Sequence, residues 1–307
     1  MNGEGSSAPH SGDGLSSGGG GELSGAEVVL LRTPGRGGPM AAELRARGAR
    51  VQLLPLIDFQ LPEDTAPVSS GLLDLGAGLF DWIIFTSATT VQALKHFASA
   101  TGTRLSALVG GTRVAAVGSA TGKALAAAGI EVSFLPETDQ SARGLAASWP
   151  GAGGGRIFLP QADIADPFLR NALSGAGWEV TAVAAYETVD YPAAVPLVRK
   201  DPADEPVLTP ADYRAFAAGS SRGNPTHAVV VTSPSTARRF VRDCLVPGTA
   251  LLAAIGDPTT QELSRLGHPP AATAASPTPA GMADAVEAAL AAHQNSRSTE
   301  TEGRTHP

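Results

Sequence analysis

A single cysteine, Cys244, leaves no partner for an internal disulfide and excludes the stapled frameworks of small secreted domains. No apolar run reaches the ~20 residues that cross a bilayer. The first residues show no basic stretch followed by an apolar one, so no export signal is expected and the chain is expected to be cytoplasmic. Basic residues are scarce: 22 Lys and Arg stand against 29 Asp and Glu, for a formal net charge of −7. That balance argues against a nucleic-acid surface, which needs basic stripes to meet phosphates. Metal motifs are missing, with no CxxC and no HExxH, and no metal is expected. There is no GxSxG elbow and no Walker A lysine. Of the six histidines, His10 and His306 lie in polar tails, while His96 falls on a helical pattern and His268 just past one. None of these reads as catalytic.

Both ends lack apolar groups as well. Residues 1–25 are mostly Gly and Ser, and 293–307 are polar, so both are expected to be disordered tails. Removing them leaves roughly 265 residues, large for one core and comfortable for two domains.

What the chain does contain is a repeat. "VAAVGSATGKALAAAG" (114–129) aligns with "LLAAIGDPTTQELSRLG" (251–267), and the stretch 28–59 resembles 156–189. Gly48 matches Gly177 and Val51 matches Val180. Short apolar runs such as "WIIF", "VSFL", "RIFL" and "AVVV" alternate with amphipathic stretches such as "PMAAELRARG" and "TTVQALKHFASA". Strands apolar on both faces and spaced by helices imply parallel sheets covered on both sides. The fold class is therefore α/β, with two similar doubly wound parallel-sheet domains. Segment 190–226, rich in Pro and Asp, reads as a linker with an irregular helix near "PADYRAFA".

One chemical signal recurs. "IIFTSATTVQAL" and "VVVTSPSTARRF" both end a strand on a Thr-Ser pair at the start of a helix. Hydroxyls gather at such junctions: Thr86, Ser87, Ser119, Thr121, Ser233, Ser235, Thr259 and Thr260. Each alone reads as a helix N-cap. As a set they fall at the carboxyl edges of the sheets, where doubly wound domains bind ligands. Two such edges facing each other would line a cleft with hydroxyls, backbone N–H groups and helix N-termini, which suits carboxylates. "TPGRGGPM" offers a rival, because it follows a strand, opens a helix and has Asp58 about twenty residues on, as in a dinucleotide fingerprint. Met40 in place of the last small residue, and Pro55 in the second strand, weaken this nucleotide-binding oxidoreductase alternative.

These residues, in order and spacing, resemble the uroporphyrinogen-III synthase family over about 27–289. The resemblance rests on "IIFTSATTVQAL", "AVGSATGKAL", "AYETV" around Tyr186, "VVVTSPSTARRF", "AIGDPTTQEL" and "ASPTPAGMADAV". It implies two domains joined by a two-strand connector with the ligand cleft between them. It also implies a discontinuous first domain, 26–55 plus 191–292, with 56–190 as the second. By the repeat alone the chain would divide near residue 152. The implied reaction is cyclisation of hydroxymethylbilane with inversion of ring D and loss of water, a lyase step in tetrapyrrole (haem, sirohaem, cobalamin) biosynthesis. No cofactor is implied. The substrate would be a linear tetrapyrrole, with hydroxymethylbilane synthase as an upstream partner. Tyr186 matches the family's cleft tyrosine and would donate a hydrogen bond to the departing hydroxyl; its competing role is packing at a strand end. Arg32 and the eight junction hydroxyls would meet the acetate and propionate groups. Gln161, opposite Arg32 in the repeat, departs from the basic residue many relatives carry. A non-catalytic, bilobal tetrapyrrole-binding or regulatory homologue is the other alternative.

Overall fold

The structure, a computed structural model, describes residues 22–151, 153–198, 205–220, 227–245 and 248–303. In chain order the elements are β1 (Glu27–Leu30), α1 (Pro34–Ala46), β2 (Arg50–Leu53), β3 (Ile57–Gln60), α2 (Ala66–Gly76), β4 (Trp82–Phe85), α3 (Ala88–Ala100), α4 (Leu105–Val109), β5 (Arg113–Ala116), α5 (Ser119–Ala127), α6 (Ala142–Ala147), β6 (Arg156–Ala162), α7 (Phe168–Gly175) and β7 (Glu179–Asp190). They continue with α8 (Pro210–Ser220), β8 (His227–Val231), α9 (Pro234–Asp243), β9 (Ala250–Ala254), α10 (Asp257–Arg265), β10 (Ala272–Thr273) and α11 (Pro279–Gly303).

Two five-stranded sheets result. One runs β10-β9-β8-β1-β2, all parallel. The other runs β3-β7-β6-β4-β5, parallel except for the β3–β7 pair. Every residue of β4 and β8 is buried, because helices cover both faces. The two-residue period of a strand splits each apolar run between two cores. Ile83 and Phe85 join Val114, Phe158 and Tyr186 on one face, while Trp82 and Ile84 join Ile157 and Leu159 on the other. In the first sheet, Val28 and Leu30 pack with Val230 and Val286, and Val29 and Leu31 with Val231 and Phe240.

We propose that the sheets mark two domain bodies, 26–55 plus 191–292 and 56–190. The chain crosses once into β3 and once out of β7, and these strands pair antiparallel, Ile57 with Asp190 and Gln60 with Glu187.

Several local expectations change. The N-terminal tail was expected to run to residue 25, but Leu23 is buried and its amide donates to the Arg47 carbonyl. It joins the core cluster that holds Leu53 of β2, Leu44 of α1 and Val286 of α11. Helix α11 runs to Gly303, past the expected limit at 292. Residues 1–21 and 304–307 lie outside the described residues, as do 199–204 and 221–226 of the expected linker. Helix α1 starts at Pro34, not at Pro39 as the pattern suggested. Pro34 takes the first helical position, where its missing N–H costs nothing. Pro39, inside α1, forgoes only the bond to the Gly35 carbonyl. The expected strand "VSFL" reduces to one bridge, Phe134 against Ala115.

Candidate active site

The carboxyl ends of the central strands of both sheets open into one cleft of about 500 Å3. From the first sheet, β1 delivers Leu31, Arg32 and Thr33, and β8 delivers Thr232 and Ser233. From the second, β4 delivers Ser87 and β7 delivers Tyr186 and Thr188. The connector contributes Asp58 and Phe59, and Ile164, Leu197 and Val198 add an apolar rim.

Three helices start at this cleft: α1, α3 and α9. Two carry a capping serine. Ser87 accepts from the Thr90 amide at 3.1 Å, and Ser233 accepts from the Thr236 amide at 3.2 Å. The N-cap role foreseen for the Thr-Ser pairs thus falls on the serine of each pair. The Ser87 hydroxyl also lies 3.1 Å from the hydroxyl of Tyr186, whose ring is buried and packs edge-on against Phe59 at 5.4 Å. Ser233 shares its hydroxyl with Ser235 at 3.0 Å and Thr236 at 2.7 Å.

The electrostatics are unusual at α1. Its first turn holds no acidic residue and one arginine, Arg36, with Arg32 just before the helix. A cation is disfavoured at a helix N-terminus. Neither arginine forms an ion pair among the described residues. Desolvation lowers the pKa of Arg32, and the neighbouring Arg36 charge adds to the effect. Arg36 is also lowered by desolvation, with Tyr186 and Asp58 nearby acting in the opposite direction. Arg36 keeps contact with solvent. The low-dielectric walls of the cleft, rather than exclusion of water from the side chain itself, weaken its hydration. The guanidinium lies over the Phe59 ring, 4.4 Å from its centroid, and Nη2 donates to Thr89 Oγ1 at 2.6 Å.

Of the residues singled out in the sequence, the cleft gathers Arg32, Ser87, Tyr186, Ser233 and Ser235. Thr86, Ser119, Thr121, Thr259 and Thr260 are not among its lining residues. Strand order explains four of these. The cleft takes its residues from the adjacent strands β8 and β1 in one sheet and β7, β6 and β4 in the other, so β9 and β5, and the starts of α10 and α5 after them, fall just outside it. Thr121 and Thr259 are buried, and Thr260 Oγ1 pairs with Thr273 Oγ1 at 2.7 Å. Arg36, Thr89 and Phe59 escaped the sequence reading, and Asp58 entered it only through the nucleotide-binding alternative. For Arg36 a signal existed, a cation inside the glycine-rich helix start "TPGRGGPM". No metal-binding group of three or more His, Cys, Asp or Glu occurs among the described residues.

Fold and cleft together define a two-lobed α/β protein with a cleft between its lobes that presents Arg32 and Arg36. Within that class, the chain belongs to the uroporphyrinogen-III synthase family, whose model, described as Uroporphyrinogen-III synthase HemD, matches residues 38–284. It is 29% identical over 168 residues to the uroporphyrinogen-III synthase of Synechococcus elongatus, covering 54% of this chain and 62% of that protein. It is 27% identical over 229 residues to the chloroplastic uroporphyrinogen-III synthase of rice (Oryza sativa subsp. japonica), covering 70% and 72%. The chain thus spans less than two thirds of the length of the first of these relatives. Among solved structures, a mutant uroporphyrinogen III synthase from the extremely thermophilic bacterium Thermus thermophilus aligns with 86% of this chain and 98% of its own, at TM-score 0.58 and 18% identity. The uroporphyrinogen-III synthetase of Helicobacter pylori aligns with 84% and 97%, at TM-score 0.51 and 17% identity. At these identities the structural likeness concerns the fold. No helix among the described residues is long and apolar enough to cross a membrane.

Proposed function

We propose that the chain cyclises hydroxymethylbilane to uroporphyrinogen III, inverting ring D and releasing water. The observation that carries this reading is the juxtaposition, in one cleft, of two arginines without carboxylate partners and a buried tyrosine whose hydroxyl reaches the cleft. The arginines and the N–H groups of α1, α3 and α9 suit the acetate and propionate groups of a linear tetrapyrrole. The apolar rim suits its pyrrole faces. An electron-rich pyrrole expels its own hydroxyl once that group receives a hydrogen bond. Tyr186 supplies it as a general acid, and the Ser87 hydroxyl orients the phenol. The cation then meets the substituted carbon of ring D, and the spiro product fragments and recloses. The protein's main contribution is to hold the bilane in the inverting shape.

Hand-over from hydroxymethylbilane synthase suits a substrate that closes spontaneously, and a lone reduced cysteine suits the cytoplasm. The test is to feed hydroxymethylbilane and separate the isomers after oxidation. Type III product supports the reading, and type I alone, at the uncatalysed rate, sinks it. The second outcome would favour a binding or regulatory homologue.

A further inference from the structure

Arg36 stands where the two lobes touch. It belongs to the first turn of α1, on the first sheet's side, and Thr89 belongs to the first turn of α3, on the second sheet's side. Their 2.6 Å bond is the side-chain hydrogen bond that joins these two helices among the described residues. Thr89 is buried, so its hydroxyl is a fixed partner rather than a loose surface group.

Two routes lead from Arg36 to Tyr186. Through Thr89 it grips the α3 start, whose capping Ser87 holds the Tyr186 hydroxyl. Through Phe59 its guanidinium covers the ring on which Tyr186 packs. A guanidinium has five N–H donors in a fixed fork, and among the described residues one is used. The rest are free to take a carboxylate. Position adds a need for one: a cation at a helix N-terminus, beside a second cation and with Asp58 near but no ion pair among the described residues, is stabilised by an incoming anion.

Resting on the activity proposed above, we infer that Arg36 is the positioning residue that couples capture of a substrate carboxylate to closure of the lobes around Tyr186. One edge of the fork binds the carboxylate while Nη2 keeps Thr89, so the anion fixes the orientation of the planar guanidinium and with it the bond that sets α3 and Ser87. The substrate's side-chain charge thereby reports to the tyrosine that handles its hydroxyl. Substrates lacking a carboxylate at this position would bind without aligning Tyr186.

Three variants test this: Arg36→Ala, Arg36→Lys and Thr89→Val. With hydroxymethylbilane, Arg36→Ala should raise KM about tenfold or more, as loss of a charge-assisted fork implies. It should also divert product to the type I isomer. Arg36→Lys restores the charge but not the fork, so it should recover much of KM while the type I share stays high. Thr89→Val should leave KM near the unaltered value, lower kcat and raise the type I share, because the carboxylate is still met but the lobes are not tied. A residue with a merely structural role would move melting temperature without this split between KM and isomer ratio. Anaerobic equilibrium dialysis with uroporphyrinogen III gives a readout independent of turnover, and Arg36→Ala should weaken binding there too. If the unaltered protein makes type III product and Arg36→Ala matches it in KM and isomer purity, the inference is overturned and the activity stands. If the unaltered protein makes no type III product, the activity fails, and dialysis still judges Arg36. Equal binding by the unaltered and Arg36→Ala proteins overturns its carboxylate role.

Discussion

Tyr186 has one hydroxyl partner, Ser87 Oγ, and that oxygen already accepts from the Thr90 amide. Replacing Tyr186 by Phe keeps the ring against Phe59 and removes one hydrogen bond, so folding should lose only about 1 kcal/mol. Type III formation should slow by roughly ten- to a thousand-fold, as expected for loss of one general acid. The type I share should rise as spontaneous closure competes. Melting temperature and isomer ratio, measured together, separate the two effects, and unchanged rate with pure type III product would make Tyr186 structural. A second residue matters for pH rather than for turnover. His227 is buried against Tyr213 and Phe216 of α8, with Nε2 at 2.9 Å from the Tyr213 hydroxyl and Nδ1 without a partner among the described residues. Burial holds its pKa down at about 4. The unfolded chain takes up this proton near pH 6.5. Stability from His227 is therefore intact above that pH and is lost as pH falls toward 4, by about 3 kcal/mol in full. Its neighbour Cys244 is pushed up to about 12 and Tyr213 is raised by burial, so both stay neutral across this window. His227→Gln should flatten the melting-temperature profile between pH 6.5 and 4, and an unchanged slope would assign the loss to other groups.

Helix α2 meets the second sheet through Gly71. A Cβ there would lie 2.4 Å from the Phe158 ring, which is buried in the sheet's core. Gly71→Ala should therefore destabilise by about 1–3 kcal/mol through overpacking, measurable by denaturant midpoint. Leu23 is the matching case at the other lobe. Leu23→Ala should cost about 2 kcal/mol, the low end for a buried leucine because a chain end can relax. No change would mean that its burial contributes little. Burial at Leu23 could not be read in the sequence, where one leucine within a Gly-Ser stretch carries no period. The strands "WIIF" and "AVVV" were legible, because four apolar residues in a row specify a sheet covered on both faces. The alternation of their side chains between two cores followed automatically. What escaped was strand order. The repeat makes Thr121 and Thr259 look equivalent to Ser87 and Ser233, yet β5 lies at a sheet edge and β9 next to one. Helix starts share a ligand only when their strands are neighbours at the cleft, as β8 and β1 are in the first sheet and β6 and β4 in the second. Arg36 escaped for another reason: its partners Thr89 and Phe59 are distant in the chain, and only folding brings them together.

Across the molecule, charge works locally against the net value. The chain carries −7, yet its cleft presents Arg32 and Arg36, neither in an ion pair among the described residues. Binding of uroporphyrinogen III should therefore weaken as salt rises, despite the overall negative charge, since a partly exposed site is screened over about 10 Å at 0.1 M salt. Dialysis at low and at physiological salt checks this, and salt-independent binding would contradict carboxylate recognition. At the opposite side of the connector, α9 holds the end of β7. Arg239 and Arg242 both reach Asp190, at 2.5 and 3.1 Å, and Arg239 also donates to the Thr188 carbonyl. Arg239 foremost keeps the Asp190 carboxyl below its ordinary range. Such exposed pairs add at most about 1 kcal/mol. Asp190→Asn should leave melting temperature nearly unchanged while broadening the range of lobe arrangements seen by small-angle scattering.

The crossing of the chain between sheets also sets an order of assembly during synthesis. Val28 pairs with Ala228, and every strand of the second sheet, from Ile57 to Asp190, is made in the interval. As the polypeptide leaves the ribosome, the second sheet has all its strands before the first has more than β1 and β2. Domains form as units, earliest first. The N-terminal strand pair, covered by α1 on one face, must therefore wait with its other face and the edge of β1 open until the C-terminal third emerges. That interval is when this chain is most open to chaperones and to aggregation.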